Sequence, residues 1–60
     1  MPSDPQQVQR AIRGSAILLQ RLANNLIVEI DVGDEKRIAR CCHEIQSVVN
    51  EINRLRWEGE

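Results

Sequence analysis

Leu26-Ile27-Val28-Glu29-Ile30-Asp31-Val32-Gly33-Asp34 admits two readings that lead to different proteins. Its β-branched residues alternate well enough for a strand. A lone strand would find no partner in the chain, however, and an apolar helical spacing already runs into Leu26. The helical reading therefore prevails. It places a helix from about Pro5 to about Ile30, a turn over 31–34, and a second helix from about 35 to Trp57. Gly33 suits the left-handed conformation that ends helices. Asp34 is a good cap for the next helix, and Asp34 and Glu35 favour its positive N-terminus.

Outward from the turn, two apolar seams of equal length appear. The first is Val8, Ile12, Ser15, Leu19, Leu22 and Leu26; the second is Ile38, Cys41, Ile45, Val48, Ile52 and Leu55. Steps of four and three residues keep each set on one helix face. Folding the chain at Gly33 lays Leu26 beside Ile38, Leu22 beside Cys41, Leu19 beside Ile45 and Val8 beside Leu55. The expected fold is all-α: one antiparallel two-helix hairpin, a rod roughly 35–40 Å long. At the chain start, Asp4 reads as a helix cap, Pro5 as the first helical residue and Gln7 as the far member of a capping box. Gly14 is either a tolerated surface glycine or a point where another backbone comes close. Residues 1–3 and 58–60 are expected to fray.

Sixty residues make one small domain, marginal on its own. The apolar supply is almost wholly aliphatic, with one Trp and no Phe or Tyr. Such residues interlock along helix seams. Ala11 and Leu18 on helix 1 and Cys42 and Val49 on helix 2 flank the seams. They are the expected contacts of a homodimer, a four-helix bundle.

The formal charge of −1 conceals segregation. Residues 5–28 hold three Arg and no acid, a net of +3. Residues 36–57 hold five cations against Glu44 and Glu51, again a net of +3. The other acids are Asp4, Glu29, Asp31, Asp34, Glu35, Glu58 and Glu60, at or near the helix ends. Helix 2 carries an outer stripe without an acid: Lys36, Arg40, His43, Ser47, Asn50, Arg54 and Trp57. Seven of the eight cations are Arg, whose planar fork grips phosphate with two hydrogen bonds. The residues expected to bind RNA are Arg10, Arg13, Arg21, Lys36, Arg40, His43, Ser47, Asn50 and Arg54. Double-stranded RNA is the favoured ligand because it is read largely by shape, phosphates and 2′-hydroxyls. Trp57 is expected to cover the open end of the hairpin near Pro5 and Val8; stacking on a base is the alternative.

Other chemistries find little footing. Cys41, Cys42 and His43 fan out around a helix, whereas metal ligands on one helix need a shared face. No catalytic residues, metal or cofactor are expected, and no enzyme activity. Glu44 and Glu51 are expected to meet Arg37 or a partner chain. Adjacent cysteines cannot bridge without strain, which suits a reducing interior, the cytoplasm. The first segment has a transit-peptide-like composition, but the second half supplies its matching partner. No apolar run approaches a membrane span of roughly 20 residues.

A short helical hairpin that pairs into a four-helix bundle with a basic face resembles two groups. One is the plasmid RNA-binding modulator Rop; the other is the nodavirus suppressors of RNA silencing. The resemblance covers most of the chain as architecture and carries no motif, so no residue role comes from it. It implies sequence-independent sequestration of double-stranded RNA. The competing expectation is an adaptor that docks on a helical protein. An exposed patch at Ile17, Ile27 and Val28 would favour it.

Overall fold

A computed structural model describes residues 4–58, which form two α-helices in contact: α1, Pro5–Val32, and α2, Glu35–Glu58. They make an antiparallel hairpin, with no strand among the described residues. The Cα trace extends 47 × 14 × 10 Å, longer than the seams alone suggested. Residues 1–3 and 59–60 and their expected fraying lie outside the described set; Glu58 is helical.

Capping follows from the sequence. Asp4 has extended backbone, and its Oδ1 accepts a hydrogen bond from the Gln6 N–H at 2.9 Å. Pro5 opens α1, where its missing N–H leaves nothing unsatisfied. The expected return bond from Gln7 is not made among the described residues. α1 runs two residues past Ile30, because Asp31 and Val32 can stay helical until the chain reaches a residue that tolerates positive φ. Gly33 is that residue, at φ 81°, and its N–H donates to the Glu29 carbonyl at 2.9 Å. Asp34 then caps α2, its Oδ1 accepting from the N–H groups of Lys36 at 3.0 Å and Arg37 at 3.4 Å.

The two seams face each other. All twelve seam residues are buried or half-buried, while most of the chain is exposed. The register is fixed at its most buried point: the Cys41 thiol donates to the Leu22 carbonyl at 3.4 Å. Leu22 and Cys41 are also the only buried apolar side chains among the described residues. Nothing comes within 4 Å of a Cβ built on Gly14, so no backbone approaches there within the chain.

Gly33 in the turn and Gly14 inside α1 should respond in opposite directions. Gly33→Ala should lower stability by about 1 kcal/mol, because an L side chain is disfavoured at positive φ. Gly14→Ala should raise it by about 1 kcal/mol through helix propensity. Thermal melts followed by circular dichroism at 222 nm check both; a stabilising Gly33→Ala would contradict the turn geometry.

Candidate nucleic-acid interface

Helix geometry sorts the charged residues. A turn of about 100° per residue sets each side chain's bearing relative to the seam. On α1, Arg10, Arg13 and Arg21 stand on the side opposite the seam, with Gln6 and Asn24 between them. On α2, Lys36, His43, Ser47, Asn50 and Arg54 stand away from the seam, and Arg40 leans toward one flank. All nine expected RNA-binding residues are exposed. They do not form one surface: the α1 and α2 groups lie on opposite edges of the hairpin, back to back across the seam.

Among the described residues, the ion pairs Glu29–Arg37 and Glu51–Arg54 bring carboxylates into this arrangement. The Arg37 guanidinium donates from an Nη nitrogen to Glu29 Oε1 at 2.9 Å, and its Nε lies 2.6 Å from Oε2. That second approach lacks hydrogen-bond geometry, which leaves Oε2 buried without a hydrogen-bonding partner. The pair is held all the same by its opposite charges. It links α1 to α2 beside the turn, so Arg37 is engaged by Glu29 rather than by Glu44 or Glu51. Within α2, Arg54 Nε donates to Glu51 Oε2 at 3.1 Å, and its Nη to Oε1. A stripe free of acid by position therefore has a carboxylate clamped on one of its cations. The cause is simple: Glu51 lies three residues before Arg54, within side-chain reach along the helix.

The remaining cations differ. Among the described residues no carboxylate pairs with Arg10, Arg13, Arg21, Lys36, Arg40 or Arg56, the last donating to the Asn53 side-chain oxygen instead. Asn50 accepts a hydrogen bond from Gln46 at 3.1 Å, which leaves its own amide N–H groups free to donate. The basic surface without paired carboxylates is thus three arginines on α1, two cations near the turn on α2, and Arg56 at the far end of α2. Reading only the stripe positions overstated α2, because the ladder neighbours at i−3 were not counted.

A shallow groove of about 190 Å³ sits between the helices on one side, lined by Asn25, Glu29, Arg37, Arg40 and Glu44 over Leu22 and Cys41. Glu29, Arg37, Asn25 and Glu44 establish which flanks of the two helices share a side. Ala11 and Leu18 lie on this charged side. Cys42 and Val49 lie on the other, with Ala16, Ala23 and Ile30. The four residues expected to form one dimer interface are therefore divided between two sides, because in an antiparallel pair the flanks that meet run in opposite rotational senses.

Trp57 is 76% exposed and does not cover the open end. Its bearing on α2 is nearly opposite to Leu55, which faces Val8, so it points away from the end it was expected to close. Cys41, Cys42 and His43 diverge: Cys41 is buried, Cys42 and His43 are exposed, and no metal-holding group of three ligands occurs among the described residues. No helix is long and apolar enough to cross a membrane among the described residues. Among known proteins, no family model matches the chain, and neither a curated protein nor a solved structure does.

Burial pushes the Cys41 thiol up from its ordinary pKa, and the Glu44 carboxylate adds to the effect. The folded state then holds the thiol proton to higher pH than the unfolded state does. Its stabilising contribution is complete below the unfolded thiol pKa, near 9.0, and is lost as pH rises through the folded value. Two outcomes are expected. In dilute solution iodoacetamide should modify Cys42 well before Cys41. Stability measured by urea titration should fall above pH 9 in the wild type, and this fall should be smaller in Cys41→Ala.

Proposed function

We propose that this chain is an RNA-binding helical hairpin, acting as a homodimer in a four-helix bundle, that sequesters double-stranded RNA without reading its bases. The observation that carries the reading is the set of exposed cations that pair with no carboxylate among the described residues: Arg10, Arg13 and Arg21 on α1, Lys36 and Arg40 near the turn on α2, and Arg56 at the far end of α2, which donates to Asn53. Arginine forks on a rigid helix meet phosphate oxygens with two hydrogen bonds each. Such contacts hold a protein on a duplex and carry no sequence information. Arg10 and Arg21 are spaced by roughly 16 Å along α1, so each engages a separate phosphate. A homodimer doubles every one of these contacts.

The net charge of −1 does not oppose this strongly. Asp31, Asp34 and Glu35 lie around the turn; at ~0.15 M salt screening acts over roughly 8 Å, so they offset Lys36 beside them and act only weakly on Arg10, Arg13 and Arg21. Glu51 lowers the value of Arg54, which is a minor contributor in this reading. Trp57, with no packing duty inside the hairpin, is available to stack on a base. Duplex RNA coated in this way is shielded from processing enzymes, and the consequence would be suppression of RNA silencing.

A second reading is favoured by one observation. Ile17, Ile27 and Val28 are all exposed, at 47%, 59% and 56%. Ile17 and Val28 lie on the same outer face of α1 as Arg10 and Arg21. A helical protein with acidic and apolar residues would match that mixture, and the chain would then be an interaction adaptor.

RNA binding predicts a steep salt dependence. Lys36→Ala combined with Arg40→Ala should weaken duplex binding at least about tenfold in low salt and reduce the slope of log K against log salt by about two. Arg54→Ala should have the smaller effect. Fluorescence of Trp57 titrated with duplex RNA measures each affinity, and circular dichroism confirms retained helicity. A salt-independent affinity would remove the phosphate contacts from the account and leave the helical-protein reading.

A further inference from the structure

The hairpin exposes more surface than its mass requires. Its accessible area is 5048 Å², against roughly 4,000 Å² for a compact folded chain of 6.9 kDa. The difference, about 1,000 Å², is comparable to the ~800 Å² that each partner contributes to a stable interface. Exposed large apolar side chains occur on more than one face: Ile17 and Val28 on the outer face of α1, Leu18 on the charged side, and Ile30 on the side opposite the groove. The side opposite the charged groove presents Ala16, Ala23 and Ile30 from α1 and Cys42 and Val49 from α2, beside the seam residues. The charged residues bordering it are Glu35 and Arg56, at opposite ends of α2.

Those two residues constrain the occupant. We propose that a second copy of the chain covers this side, with the two hairpins packed face to face and their turns at opposite ends. In that arrangement α2 crosses α2 of the second copy in antiparallel sense. Glu35 of each chain then comes opposite Arg56 of the other, forming two symmetric ion pairs at the rim. The same two-fold axis lays Cys42 opposite Val49 of the second copy, because the pairs Glu35/Arg56 and Cys42/Val49 share one midpoint on α2. The ends of α2 are self-complementary in charge under this two-fold, as an isologous interface requires. Small residues at Ala16 and Ala23 let the helices approach closely. The turns-together alternative sets like ends side by side and leaves Glu35 and Arg56 far apart.

The inference specifies the dimer assumed in the proposed function, and its test contains no RNA, so the two can fail separately. Sedimentation equilibrium at tens of micromolar should give twice 6.9 kDa. Ala23→Glu should raise the dimer dissociation constant on the order of 100-fold with helicity retained, whereas Leu18→Glu, on the charged side, should leave it nearly unchanged. Should Ala23→Glu unfold, Val49→Cys decides. Mild oxidation should then link Cys42 of one chain to the introduced thiol of the other, giving a covalent dimer on a non-reducing gel; a Leu18→Cys control should not cross-link at this position. A monomeric wild type, dissociation by Leu18→Glu alone, or no cross-link in the Val49→Cys variant would overturn the proposal.

Discussion

One line of contact between two helices holds this protein together. α1 and α2 meet along a single seam, and among the described residues only Leu22 and Cys41, one step in from the turn end of that seam, are buried apolar side chains. A hairpin has no third element to close over its core, so each seam residue packs on one side and meets solvent on the other. Isolated helices of this length are marginal in water, and most helical stability in proteins comes from burial of an apolar face. The seam must therefore supply both the fold and the stability of the helices that make it. The thiol hydrogen bond to the Leu22 carbonyl and the Glu29–Arg37 pair near the turn fix the register at two heights.

The same thinness explains the distribution of function over the surface. With almost no interior, nearly every polar side chain stands in water, and a site of the pocket type has little to be built from. What remains is surface pattern. The edge of α1 carries arginines without acids; one broad side carries the mixed charges of the groove; the other is apolar. Each belongs to a different kind of contact. Phosphates suit the first, and a second copy suits the last. The groove brings Glu29, Glu44, Arg37 and Arg40 together; among the described residues Arg37 is paired with Glu29, and Arg40 pairs with no carboxylate.

Much of the fold was legible in the residues. Apolar spacing named all twelve seam positions, the pairing of Leu22 with Cys41, and the cap at Asp34, because period and capping are local properties of the chain. α1 ends at Val32, two residues beyond the Ile30 that the apolar spacing suggests. Asp31 and Val32 look like turn residues in isolation, but a helix with an αL glycine beyond it has no cause to stop before it. The surface was less legible. Spacing placed Arg54 in an acid-free stripe, yet a flexible side chain reaches Glu51 on the neighbouring row. Trp57 was assigned to the open end on size and apolarity alone, while its bearing on α2 aims it outward. Ala11 and Leu18 were grouped with Cys42 and Val49 because each pair flanks a seam. Which flanks share a side depends on how the two helices are juxtaposed, and only the folded hairpin supplies that.

The central claim is that unpaired arginines on a rigid rod grip the backbone of a duplex by its shape. A gel-shift comparison of the full chain with duplex RNA, duplex DNA and single-stranded RNA of one length and sequence tests it most directly. The account predicts that duplex RNA is retarded at the lowest protein concentration and that changing its sequence leaves the midpoint unchanged. Equal retardation of all three, or none of duplex RNA at moderate salt, would contradict it.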